Sequence, residues 1–282
     1  MAEILDGKAL AKKVRIGLKQ EVDNLKEKGV NPKLAVIMVG NDSSSEIYVR
    51  NKSKACDKVG VEFEEFLLDE NTQMEELLEL IEKLNKDDNV DGILLQSPIP
   101  KHLDIDKAFR TISPEKDVDG FNPVNVGKLV LGQDCFISCT PYGVVKILEE
   151  YNIETEGKNA VIIGRSNIVG KPMIQCLLEK NATVTVCHSR TKNIEEITKK
   201  ADIVVVAIGK DRFLKADMVK EGAVVIDVGI NRTDDGIFGD VDFENVSKKA
   251  SYITPVPGGV GLMTIAMLLN NVVKAAKNNK LK

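Results

Sequence analysis

Tyr48 and Lys52 stand four residues apart in the segment SSSEIYVRNKSKACDKVG. In a helix that spacing turns both side chains to one face. A lysine amine there suits acid–base chemistry if burial disfavours its charged form. The same segment carries Arg50, Lys54 and Lys58, so a solvated basic face accounts for any one lysine equally well. A second polar group follows an apolar run, where VDGILL leads into Gln96-Ser97-Pro98-Ile99-Pro100. Gln96 could meet a ligand or cap a backbone group. Asp117 and Asp119 in KDVDG could serve a site or shape a turn.

A different chemistry is suggested by AVIIGRSNIVGKPM, which reads as strand, turn and helix in succession. Gly164 permits a tight turn, Gly170 lets the helix lie close to the sheet, and Pro172 suits a first helical turn. The free N–H groups and the dipole at that helix start favour phosphate. The motif is G-x-S-x-x-x-G-x-P, and a tight turn without a ligand would also satisfy it. The next strand, ATVTVC, ends in His188, Ser189, Arg190 and Thr191. A site for NAD often has Asp or Glu there to take the ribose hydroxyl. Hydroxyls and Arg190, with Arg165 in the first turn, suit a 2′-phosphate instead, so NADP is expected.

These residues need elements to hold them. Asp6 can cap a helix whose Leu10, Val14, Leu18, Val22 and Leu25 share a face. Strands are predicted at Lys33–Val39, Val61–Leu68 and Val90–Leu95, with helices over Ser43–Val59, its serines available as caps, and Thr72–Leu84. Ile112–Gln133 reads as a loop crossing between domains. A helix over Tyr142–Tyr151 opens a second series. Its strands are Asn159–Ile163, Thr183–Cys187, Ile203–Ile208 and Val224–Val228; its helices are Lys171–Glu179, Asn193–Lys200 and Lys215–Lys220. A largely apolar helix closes the chain from about Val260 to Lys277 and is expected to return to the N-terminal domain. Alternating β and α units imply parallel sheets, with ligands beyond the carboxyl ends of the strands.

The composition narrows the class. The chain has 282 residues with 39 Lys+Arg against 43 Asp+Glu, a net charge of −4, which argues against a general nucleic-acid binder. No apolar run approaches the roughly 20 residues of a membrane span, and the charged start MAEILDGKAL is no secretory signal. Five cysteines without a C-x-x-C pair, and two histidines, argue against a metal site and for reduced thiols in the cytoplasm.

Six motifs occur together in a known order: Tyr48-x-x-x-Lys52, Gln96–Pro100, Pro114–Gly120, Thr140–Gly143, Gly164–Pro172 and Pro257–Gly261. In this the chain resembles the bifunctional methylenetetrahydrofolate dehydrogenase/methenyltetrahydrofolate cyclohydrolase family over nearly its whole length. The resemblance implies NADP-linked oxidation of 5,10-methylenetetrahydrofolate and hydrolysis of the methenyl product to 10-formyltetrahydrofolate. It implies an α/β fold of two domains. Residues 1–138 with 262–282 would form the folate-binding catalytic domain, and 139–261 a Rossmann-like NADP-binding domain. Lys52 would be catalytic, tuned by Gln96, with Tyr48 stacking near the folate and Asp119 holding the pterin. Leu95, Ser97 and the loop Pro257, Gly258, Gly259, Val260 and Gly261 would complete the substrate site. Gly164, Arg165, Ser166, His188, Ser189, Arg190 and Ile230 would contact NADP, and the protein would be a homodimer. Leu262, Ser138 and Ser97 depart from the family pattern, two of them where proline is usual. Architecture alone would also fit an amino-acid dehydrogenase or a non-catalytic dinucleotide sensor; Tyr48, Lys52, Gln96 and Asp119 in these contexts argue against both.

Overall fold

The computed structural model describes residues 1–234 and 236–281, apart from the side chains of Ser43 and Ser44. The chain divides into two compact units. The N-terminal unit comprises Lys13–Ile137 with Ile265–Lys282, and the C-terminal unit Ser138–Thr264 with Met1–Lys12. The first twelve residues, counted with the N-terminal domain from the sequence, thus cluster with the C-terminal unit. The reason is a strand too short to announce itself: β1 (Glu3–Ile4) pairs in parallel with Tyr252–Ile253. Helix α1 (Gly7–Glu27) follows, capped by Asp6, which accepts from the Ala9 N–H at 2.9 Å. Leu10, Leu18, Val22 and Leu25 are buried along it, and Val14 half-buried.

The N-terminal unit then runs β2 (Lys33–Val39), α2 (Ser43–Val59), β3 (Glu62–Leu68), α3 (Met74–Lys86), β4 (Gly92–Leu95), α4 (Ile105–Thr111) and α5 (Pro123–Val130). The three strands are parallel in the order β3-β2-β4, with Leu34 opposite both Phe63 and Gly92. Leu34–Val39 is buried throughout, as a central parallel strand covered on both faces must be. Ala35, Ile37 and Val39 join Leu77, Ile81, Ile93 and Leu95 in one core. The segment Ile112–Gln133 is more ordered than its prolines and glycines suggested. Asn122 accepts from the Val124 N–H at 2.8 Å and Pro123 takes the first turn of α5, a start signal that the Gly127 inside the helix obscured.

The C-terminal unit follows as α6 (Cys139–Glu150), β5 (Asn159–Ile163), α7 (Gly170–Leu178), β6 (Thr183–Cys187), α8 (Ile194–Thr198), β7 (Ile203–Val206), β8 (Val224–Asp227), β9 (Asn231–Thr233), β10 (Gly236–Phe238), α9 (Phe243–Val246), β11 (Tyr252–Ile253) and α10 (Val260–Lys280). Its six-stranded sheet has the order β1-β11-β8-β7-β5-β6, parallel at every pairing; β9 and β10 form a separate antiparallel hairpin. The order reverses at β5, with β6 on one side and β7 on the other. The expected helix over Lys215–Lys220 is only a 3-10 turn, Ala216–Met218. Helix α10 is long and apolar enough to cross a bilayer by length and composition. Past Ile265 it returns to the N-terminal unit instead. There Asn271, buried, donates to the Val118 and Ile137 carbonyls at 2.9 and 3.1 Å.

Candidate active site

In the N-terminal unit the chemistry gathers at the carboxyl ends of β2 and β4. Gln96 directly follows β4, and its N–H still pairs with the Ile37 carbonyl at 2.8 Å. Its side chain is buried, with Nε2 donating to the Ser97 carbonyl at 2.7 Å. That bond fixes which way the amide faces, because the remaining atom, Oε1, can only accept. It accepts from Lys52 Nζ at 2.9 Å.

Lys52 reaches Gln96 because α2 is amphipathic in a useful register. Val49, Cys56 and Val59 are buried, at three- and four-residue steps on either side of Lys52. Arg50, Lys54 and Lys58 are exposed, whereas Lys52 is half-buried. The structure therefore separates one lysine from the solvated basic face that the sequence could not exclude. Asp42 rather than a serine caps α2, accepting from the Ser45 N–H at 2.8 Å. Gly60 ends the helix in the left-handed region at φ 86°. Burial pushes the Cys56 thiol, one turn beyond Lys52, up to about 12, so it stays protonated and inert. Tyr48 lies one turn before Lys52 and is 36 % exposed, which leaves part of its ring open to a ligand.

The two aspartates of KDVDG divide the work. Asp117 is buried and accepts from the Phe121 and Asn122 N–H groups and from Asn125 Nδ2, at 3.1, 2.8 and 2.9 Å. It builds the loop, and burial raises its pKa despite those bonds. A parallel bridge sets Asp117 opposite Ile93. Two residues on from each are Asp119, which is half-buried, and Leu95, the residue before Gln96. Gly92 permits the approach, since a Cβ there would lie 2.7 Å from Val118 Cγ1. Asn122, Asn125 and Asn271 brace this segment and were missed; only the Asn122-Pro123 pair carried a local signal.

In the C-terminal unit, β5 ends at a turn that only glycine fits. Gly164 has φ 128°, and a Cβ on it would lie 2.3 Å from the Ala207 carbonyl. A Cβ on Gly170 would lie 2.5 Å from the Gly164 carbonyl oxygen. Ser166 Oγ accepts from the Val169 and Gly170 N–H groups at 3.2 and 3.3 Å. Ser138, one of the departures from the family pattern, donates to the Ile168 carbonyl at 2.6 Å and ties the turn down. Arg165 and Ser166 are exposed on it. At the end of β6, His188 Nδ1 accepts from the Arg190 N–H at 3.1 Å, and the Thr191 hydroxyl accepts from the His188 N–H. His188 thus shapes a turn that leaves Ser189 and Arg190 exposed. An exposed hydroxyl and guanidinium at this tip, beside a close-packed glycine turn with a second arginine, fit a dinucleotide bearing a 2′-phosphate.

The Pro257–Gly261 loop leaves β11 and starts α10. A Cβ on Gly259 would lie 2.5 Å from the Pro255 carbonyl oxygen, and one on Gly7 would lie 2.1 Å from the Gly259 carbonyl oxygen. The loop is therefore packed on the start of α1. Pro257 is exposed, and Val260 is buried. Leu262 sits within the first turn of α10. Ile230, 44 % exposed, follows β8, and its Cδ1 lies 3.5 Å from where a Cβ on Gly261 would be. The Ser97 departure leaves the site's bonding intact, because Gln96 uses only the Ser97 carbonyl.

A lysine–glutamine pair beyond one parallel sheet and a glycine turn at the reversal point of another define a two-domain α/β enzyme of the dinucleotide-using class. Family models match both parts: the tetrahydrofolate dehydrogenase/cyclohydrolase catalytic domain over residues 5–119, and the NAD(P)-binding domain of the same family over 138–280. The chain belongs to the tetrahydrofolate dehydrogenase/cyclohydrolase family. It is 61 % identical over 276 residues to the bifunctional protein FolD of Campylobacter concisus, covering 98 % of each chain. It is similar to the crystal structure of the bifunctional FolD methylenetetrahydrofolate dehydrogenase/cyclohydrolase of Campylobacter jejuni, with TM-score 0.98, 55 % identity and 99 % of each chain covered. The Trypanosoma brucei FolD structure, complexed with NADP cofactor and inhibitor, matches with TM-score 0.94 and 38 % identity over 98 % of each chain.

Proposed function

We propose that the chain oxidises 5,10-methylenetetrahydrofolate to the 5,10-methenyl cation with NADP+ and hydrolyses that cation to 10-formyltetrahydrofolate. The observation that carries the proposal is the Lys52–Gln96 pair at 2.9 Å, on a half-buried helix stripe beyond the sheet. Bound NADP+ supplies the hydride acceptor. The carbon that loses hydride is flanked by two nitrogens, so its positive charge is delocalised and the chain's task is alignment. Hydrolysis then adds water to that carbon, opens one C–N bond and releases a proton. Lys52 takes that proton as general base. A cation close to Lys52 favours the neutral amine, since two unit charges about 4 Å apart repel by about 1 kcal/mol in water and by more at lower dielectric.

Gln96 holds the amine in place, and because its Nε2 is committed to Ser97 it offers Lys52 only an acceptor. Tyr48 provides an aromatic surface for the folate ring system, and Asp119 a carboxylate for the pterin. Leu95, Ser97 and Pro257–Gly261 complete the substrate contacts. Gly164, Arg165, Ser166, His188, Ser189, Arg190 and Ile230 serve the cofactor, His188 by shaping the turn. Residues 1–138 with 262–282 and residues 139–261 are the functional domains, the first twelve residues clustering with the second of them. The enzyme works as a homodimer in the cytoplasm, with its five cysteines as thiols, and needs neither membrane nor nucleic acid. A spectrophotometric assay tests this, using methylenetetrahydrofolate with NADP+ or NAD+ and the methenyl compound in parallel. Turnover of both substrates with preference for NADP+ is expected; turnover of neither would refute the proposal.

A further inference from the structure

Beyond the turn after β5, the C-terminal unit contains a buried carboxylate that no part of the mechanism uses. Asp240 follows the β9–β10 hairpin and is fully buried. Its Oδ2 accepts from the Ile208 and Gly209 N–H groups at 2.7 and 3.0 Å. Its Oδ1 accepts from the Lys210 N–H at 2.8 Å and from Asn231 Nδ2 at 2.9 Å. Three consecutive N–H groups converging on one anion form the kind of nest that elsewhere binds phosphate. Here the chain fills that nest with its own side chain. Gly229 packs on the same group, since a Cβ there would lie 2.2 Å from Asp240 Oδ1. Asp240 is itself anchored: its N–H donates to Asp227 Oδ1 at 2.9 Å.

The location gives this network a purpose. Sheet order runs β6, β5, β7, β8. A dinucleotide whose pyrophosphate meets the turn after β5 and whose adenosine 2′-group meets the β6 tip must direct its other half towards the ends of β7 and β8. The segments there are Ile208–Lys210 and Gly229–Asn231, and Asp240 bonds or packs on both. We propose that Asp240 is a positioning residue for the nicotinamide half of the cofactor, clamping the two loops that border it. This rests on the cofactor reading above and extends it to a residue outside the motifs that carried that reading.

Asp240→Asn is nearly isosteric but turns one acceptor into a donor facing N–H groups. NADPH binding followed by its fluorescence should weaken about tenfold or more, while adenosine 2′,5′-bisphosphate, which lacks the nicotinamide half, should bind within twofold of the parent. The KM for NADP+ should rise more than kcat falls. Equal weakening of both probes, or no weakening of NADPH, overturns the proposal. If Asp240→Asn does not fold, Asn231→Ala decides: NADPH weakened at least threefold with the fragment unaffected supports the clamp, and unchanged NADPH affinity refutes it. A parent protein that binds neither probe would refute the cofactor reading itself, and the clamp with it.

Discussion

Replacing Gln96 with leucine removes the acceptor that holds Lys52 while keeping an apolar side chain of similar size. The lost bond is 2.9 Å long and made by a side chain buried at 7 % exposure. With Lys52 acting as the neutral amine it joins two uncharged groups, and such bonds contribute about 0.5–1.5 kcal/mol. With about 1.4 kcal/mol per factor of ten in rate, hydrolysis of the methenyl substrate should slow about 2.3- to 12-fold. Gln96→Asn keeps the amide but withdraws it by one methylene, so it should lose nearly as much; if polarity alone mattered, asparagine would stay close to the parent. The assay follows loss of methenyl absorbance under single-turnover conditions, with NADPH affinity as a control on folding. Hydrolysis by the leucine variant within twofold of the parent rate would refute the positioning argument.

Lys52→Met should reduce hydrolysis by about 10²–10⁴-fold, the usual contribution of a general base; parental rates would remove Lys52 from the mechanism. Arg190→Ala should weaken NADP+ more than NAD+, and equal losses in a binding titration would mean that Arg190 does not read the 2′-phosphate. Burial raises Asp227 from 3.8 to about 7. Between those values the folded chain holds a proton that the unfolded chain has lost. The stability this supplies is fully present below pH 3.8 and is lost as pH rises through about 7, with a ceiling of about 4 kcal/mol at about 1.4 kcal/mol per pH unit. Melting temperatures of the parent relative to Asp227→Asn should therefore fall from pH 5 to pH 7.5. A difference that is constant or rises with pH would show that Asp227 is ionised throughout.

The elements were legible where a single physical demand governed them. Asn159–Ile163 and Thr183–Cys187 appear with their expected bounds, because short apolar or β-branched runs between polar breaks have few alternatives. Lys33–Val39 was equally plain. Elements that depend on partners were not. β1 and β11 are two residues each and are strands only through their ladders, β1 with β11 and β11 also with β8. The hairpin β9–β10 lies between Asp227 and Asp240, both buried, in a stretch where no element was expected.

By itself the sequence determined the alternation of strands and helices, the glycine turn with its arginines, and the segments able to carry chemistry. Those follow from local backbone freedom and hydrophobic period, which travel with the residues. Only the tertiary structure decided which of several lysines on α2 meets Gln96, that Asp117 builds the loop while Asp119 stays half-exposed, and that Asp240 fills a nest of backbone N–H groups. Those outcomes depend on burial and on hydrogen-bond partners distant in the chain, as with Lys52 and Gln96, 44 residues apart, and no local pattern encodes them.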